Sequence, residues 1–138
     1  MNRIQLSCHI GLGPSVSGLA LVTSDDFSAR YDLNRLKGVF SRPSHRLFGK
    51  SYVGKIMVFN DVKGGVASAW MLREMLSRKL APRALLFNRV NPILAQGAAF
   101  ADMTMCDRFE NVDVTEQIKT GDWVTVEPDK GLVFVESK

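Results

Sequence analysis

The apolar positions of the chain fall into runs of three kinds. "GKIMVFND" (54–61) and "RALLFN" (83–88) are short and unbroken, the pattern of buried strands. "SGLALVTS" (17–24) has the small-apolar character of a strand, and "ADMTMC" (101–106) reads as another. "DWVTVEP" and "GLVFVES" alternate apolar and polar residues and are joined by "DKG", which predicts a hairpin. The third kind has helical spacing. Ala69, Leu72, Leu76 and Leu80 fall on one face, with Arg73, Glu74, Arg78 and Lys79 filling much of the rest. The cations gather toward the C-terminal end, where the helix dipole favours them, and Pro82 ends the helix. "NPILAQGAAF" (91–100) predicts a short helix with Asn91 as N-cap, Pro92 at the first helical position and Gly97 near its end.

The middle of the chain therefore reads strand–helix–strand–helix–strand with crossover connections, flanked by strands on both sides. This predicts one α/β domain over 1–138 with a mixed, β-rich layer able to close into a small barrel. Residues 1–16 read as an N-terminal extension. Residues 27–51 read as a long basic excursion punctuated by Gly38, Pro43 and Gly49, of a length usually reserved for function or partner contact.

Composition narrows the class. A chain of 138 residues, 46% hydrophobic and 23% charged, is a soluble globular domain large enough to fold without staples. No signal-peptide pattern opens it and no apolar run approaches the roughly 20 residues that span a bilayer, so a cytoplasmic protein is expected. Cys8 and Cys106 lack C-x-x-C spacing and read as plain thiols of a reducing compartment, neither a disulfide framework nor a metal site. Charge is uneven: residues 30–89 hold 13 Lys and Arg against Asp32, Asp61 and Glu74, while 90–138 hold four bases against nine acids. The basic half suits an anionic small molecule or an acidic partner, or is an ordinary solvated face. It carries no aromatic ladder or recognisable nucleic-acid motif, so nucleic-acid binding is ranked last.

The candidate chemistry lies in "KGGVAS" (63–68). A strand running into Gly64-Gly65 and then a helix turns sharply and offers unpaired N–H groups to phosphate or carboxylate. Lys63 adds a charge and Ser68 a hydroxyl. The G-x-x-x-x-G-K-[ST] spacing of a nucleotide loop is absent. A phosphohistidine turn is excluded because Ala69 stands where the nucleophile would be. The competing reading is a packing turn, with Ser68 bonding backbone at the helix start. His9 and His45 share no ligand spacing; His45 is either structural or part of a substrate or partner loop.

The order of segments resembles the small subunit of the aconitase X family, the swivelling domain of aconitase-type dehydratases. The matching pieces are Gly49-Lys50-Ser51-Tyr52-Val53-Gly54-Lys55, the 63–68 turn, Ala81-Pro82-Arg83-Ala84, Ile93-Leu94-Ala95-Gln96-Gly97-Ala98 and Gly121-Asp122-Trp123-Val124. Together they span roughly residues 17–136. The resemblance implies a swivelling β/β/α domain with barrel-like β layers and two or more helices. It implies a hydro-lyase subunit, active with a large partner subunit, that dehydrates an anionic hydroxy-carboxylate of the phosphomevalonate or hydroxyproline class. The iron–sulfur cluster is then expected on the partner, since two unpaired cysteines fall short of its usual ligand set.

By that resemblance Ser68 is the catalytic candidate, and Lys63, Gly64, Gly65, Ser51 and His45 are candidates for binding substrate. This chain binds no metal of its own in that scheme, and neither nucleic acid nor membrane is a partner. The chain departs from the family pattern in the excursion, which lacks an aromatic-glycine-glycine segment, and in the turn, where Lys63 stands at the family's arginine position. An ungapped alignment puts Gly65 where the family carries its active-site serine, and Ser68 lies three residues on. The alternative is a stand-alone binding or regulatory module that kept the fold without the base.

Overall fold

A computed structural model describes residues 3–22, 33–34, 39–40, 49–60, 82–89 and 103–137. Nine strands are present among them: β1 (Arg3–Ser7), β2 (Val16–Val22), β3 (Leu33–Asn34), β4 (Val39–Phe40), β5 (Ile56–Phe59), β6 (Ala84–Phe87), β7 (Thr104–Cys106), β8 (Trp123–Glu127) and β9 (Leu132–Glu136). One short helix, α1 (Val114–Gln117), follows β7, and a 3-10 turn (Pro128–Lys130) joins β8 to β9. Seven strands form one sheet in the order β1-β9-β8-β2-β5-β6-β7, while β3 and β4 pair separately.

The sheet is mixed because β2 changes partner along its length. Its first half (Val16 to Leu19) pairs antiparallel with β8, and its second half (Ala20 to Val22) pairs parallel with β5. From there β5, β6 and β7 continue in parallel, as crossover connections require. Gly18 sits just before the change of partner, which falls between Leu19 and Ala20. A Cβ on Gly18 would come within 3.2 Å of the Gly54 carbonyl oxygen, so glycine lets the loop before β5 lie against β2.

The two halves of the sheet bury their faces differently. All four residues of β5 and all four of β6 are fully buried, as their unbroken apolar runs predicted. In β8 and β9 burial alternates: Val124, Val126, Val133 and Val135 point into the core, and Trp123 is 45% exposed. The core gathers these valines with Leu6, Ile56, Val58, Leu86 and Phe109, and α1 adds Val114 while Ile118 follows it. Each such side chain contributes roughly 1.5–3 kcal/mol on burial.

The sheet closes on itself through the N-terminal segment. β1 pairs with β9 at one edge. The chain then crosses to the other edge, where Leu12 N–H donates to Met105 O (2.9 Å) and Met105 N–H donates to Leu12 O (3.0 Å). The Thr104 hydroxyl donates to Pro14 O at 2.5 Å. One stretch of chain thus occupies both edges, and the layer becomes barrel-like.

The residues read as an N-terminal extension are therefore a strand and the seam of the sheet. The predicted strands at 17–24, 54–61, 83–88 and 101–106 are present as β2, β5, β6 and β7. The hairpin is β8–β9, its turn ending at Gly131 with φ 65°. The excursion contains β3 and β4, and Val39 bridges to Ser51. The helices predicted over 69–80 and 91–100 lie outside the described residues, whereas α1 was not foreseen. Among the described residues no helix is long and apolar enough to cross a membrane.

Candidate functional site

In parallel sheets, open or closed, ligands bind beyond the carboxyl ends of the strands, where successive loops leave the layer. Here β5 and β6 each end in a phenylalanine followed by an asparagine, and the register sets Phe59 against Phe87. Their rings stack with centroids 5.7 Å apart. The same register brings Asn60 beside Asn88, whose Nδ2 donates to Asn60 Oδ1 (3.0 Å).

Asn88 commits the rest of its amide to α1. Its Nδ2 also donates to Asp113 Oδ1 (2.8 Å), and its Oδ1 accepts from Val114 N–H (2.8 Å). Asp113 is the N-cap of α1, and its Oδ1 accepts from Thr115 N–H (2.9 Å) and the Thr115 hydroxyl (2.6 Å). The Thr115 hydroxyl first, then the Asn88 amide, hold the Asp113 carboxyl below its ordinary range, against a small opposing effect of burial. Asp113 is therefore an ionised structural acceptor, a poor proton acceptor at neutral pH.

The backbone ladder continues past the strand ends. Arg89 N–H donates to Asn60 O (3.2 Å) and Arg108 N–H donates to Asn88 O (3.1 Å). Arg89 and Arg108 consequently leave the same carboxyl edge from neighbouring strands, both exposed. Arg108 is held at φ 57°, a left-handed conformation that costs a non-glycine residue about 1 kcal/mol or more. The Arg108 guanidinium is engaged by a carboxylate already, its Nε lying 3.7 Å from Asp107 Oδ2, while an exposed arginine such as Arg89 suits a carboxylate or phosphate. An open groove of about 460 Å³ beside α1 is less suited to an anion, because Asp113 and Glu116 line it against a single Lys119.

Of the candidates named from sequence, Lys63, Gly64, Gly65, Ser68 and His45 lie outside the described residues. The chain enters the segment that carries Lys63 to Ser68 directly from Asn60, at the end of β5. Ser51 precedes the opposite, amino end of β5, and its Oγ accepts from Val53 N–H at 3.4 Å. Sequence reasoning missed Asn60, Asn88, Arg89, Arg108 and Asp113. The available signal was the repeated Phe-Asn closing "IMVFN" and "ALLFN", and Asp113 followed three residues later by Glu116, a helix-start pattern.

Among the described residues, no three or more His, Cys, Asp or Glu side chains could hold a metal ion together. Cys8 and Cys106 are free thiols turned toward one another. Two sulfurs engaged in this way do not fit the ligand set of an iron–sulfur cluster.

Comparison with known proteins agrees with this architecture. Relatives along nearly the full chain include the phosphomevalonate dehydratase small subunit of Methanocella arvoryzae, 31% identical over 94% of this chain and 98% of the relative. The protein of that name from Methanothrix thermoacetophila is 28% identical over 96% and 95%. The crystal structure of Thermococcus kodakaraensis aconitase X (holo-form) superposes with a TM-score of 0.88 at 25% identity, covering 96% of this chain and 98% of that one. The family model for the aconitase X swivel domain matches residues 5–135, and the chain belongs to that family.

Proposed function

We propose that the chain is the small subunit of a heteromeric aconitase X-type hydro-lyase that dehydrates an anionic hydroxy-carboxylate of the phosphomevalonate or hydroxyproline class. The observation that carries this reading is the end-to-end match to proteins named as dehydratase small subunits. The exposed Arg89 and Arg108, just past the carboxyl ends of β6 and β7, are compatible with an anionic substrate. In this reading the domain closes over a site on a large subunit, which carries the iron–sulfur cluster, and excludes water from it.

The chemistry asked of this chain is modest. An α,β-dehydration removes a proton next to a carboxylate and expels the β-hydroxyl as water. Ser68 accepts the proton, and the charge of Lys63 favours the anionic oxygen that does so. The N–H groups of Gly64 and Gly65 grip the carboxylate, Arg89 or Arg108 holds a second anionic group, and Ser51 and His45 contribute from the excursion. The protein works in the cytoplasm with no nucleic-acid or membrane partner.

Co-expression with a large subunit of this family tests the reading. A stable coloured complex that dehydrates phosphomevalonate or hydroxyproline, with neither subunit active alone, is the expected result; failure of the two chains to associate overturns it. In that complex Ser68→Ala should lower kcat by about 100-fold or more with a small change in KM. The glycine at position 65, where the family serine aligns, favours a second reading in which the base has been lost. That reading predicts a non-catalytic module on which Ser68→Ala has no effect.

A further inference from the structure

Two thiols far apart in sequence meet at the seam of the barrel. Cys106 is the last residue of β7, and Cys8 is the first residue after β1. Backbone hydrogen bonds fix their approach: Cys8 N–H donates to Gly131 O (2.9 Å), His9 N–H to Asp107 O (3.3 Å) and Leu12 N–H to Met105 O (2.9 Å). A Cβ on Gly11 would come within 2.7 Å of Cys106 Sγ, so the crossing chain lies directly on that sulfur. Cys106 is buried in the core cluster, and Cys8 packs against it while half-exposed, between the exposed residues Ser7 and His9.

We propose that Cys8 and Cys106 form a dithiol modification site, at which a small-molecule disulfide converts them to an intramolecular disulfide across the seam. The two positions differ in role because their surroundings differ. The Cys106 S–H donates to the Cys8 sulfur, which lowers the Cys8 pKa against the opposing effects of burial and Asp107. The same contact, together with burial, raises Cys106 far above the thiol range. Cys8 is thus the accessible attacking thiolate and Cys106 the resolving thiol.

The exchange balances in two steps. The Cys8 thiolate attacks one sulfur of the reagent disulfide, giving a mixed disulfide and releasing one reagent thiolate. With Cys8 no longer anionic, the interaction that held the Cys106 proton is gone. Cys106 gives that proton to the departing thiolate and attacks the Cys8 sulfur. The Cys8–Cys106 bond forms, a second reagent thiolate leaves and takes a proton from water, and the reagent is reduced by the two electrons that the protein thiols lose.

Oxidised glutathione added to the full-length reduced protein, followed by intact mass, tests this. The wild type should lose two hydrogens, retain no glutathione and stay monomeric. Cys106→Ser, or Cys106→Ala should the serine variant misfold, should keep one glutathione on Cys8. Cys8→Ser should remain unmodified while folded. A lasting glutathione adduct on the wild type, a covalent dimer, or no reaction in the folded protein would each overturn the proposal.

Discussion

Replacing Asn88 by alanine removes three side-chain hydrogen bonds and strands Val114 N–H at the buried start of α1. A single unsatisfied buried group costs about 1–3 kcal/mol, so urea unfolding of Asn88→Ala should show a loss at the upper end of that range. Asn88→Asp keeps the acceptor for Val114 N–H but sets a second carboxylate against Asp113. Its deficit should therefore shrink when one of the two is protonated, and a neutral variant would show no such pH dependence. Asp113 itself has a folded-state pKa below its unfolded value, so its contribution is present above about pH 4 and fades as pH falls through the folded pKa. Asp113→Asn should flatten that part of the acid limb in a stability-versus-pH curve; an unchanged limb would show that other carboxylates set it.

Among the elements, the seam and the loop before β5 give a controlled comparison. Gly13 and Gly49 have nearly the same left-handed backbone, φ 83° and 81°. A Cβ at Gly49 meets nothing within 4 Å, whereas one at Gly13 lies 2.7 Å from the Thr104 backbone. Gly49→Ala should cost only the conformational term, about 1 kcal/mol. Gly13→Ala adds a collision with backbone that cannot move without opening the sheet edge, so its thermal unfolding should show the larger loss. Equal losses would mean that the seam yields freely.

What the sequence disclosed follows the same physics. β5 and β6 were legible because strands buried on both faces need unbroken apolar runs. β8 and β9 were legible because one face is wet. β1 was missed although Arg3-Ile4-Gln5-Leu6-Ser7 alternates polar and apolar residues, because the run is short and only Leu6 of its five residues is buried. α1 has four residues, too few for a helical period to register. The pairing of Asn60 with Asn88 and of Cys8 with Cys106 depends on strand register and closure, which no local pattern encodes. The reading of Lys63 to Ser68 drew on glycine spacing and family resemblance, and those residues lie outside the described part of the fold.

For the whole molecule, the first fourteen residues decide whether the sheet is closed. β1 covers the hydrogen-bonding edge of β9, and the crossing chain covers that of β7. Removing residues 1–14 would leave two strand edges without partners, and Leu6 and the packed half of Cys8 would vanish from the core. Exposed edges invite pairing between molecules, so loss of monomer should accompany loss of stability. The truncated chain should elute as oligomer or precipitate, with a broadened thermal transition at lower temperature. A dispensable extension predicts the opposite: a monomer with the Tm of the intact protein. Under the proposed function the distinction matters further, because Asn60, Asn88, Arg89 and Arg108 follow β5, β6 and β7, strands of the layer that the seam closes. Truncation should therefore also abolish association with a large subunit, and a truncated chain that still forms an active complex would show that the seam is not needed to hold that edge.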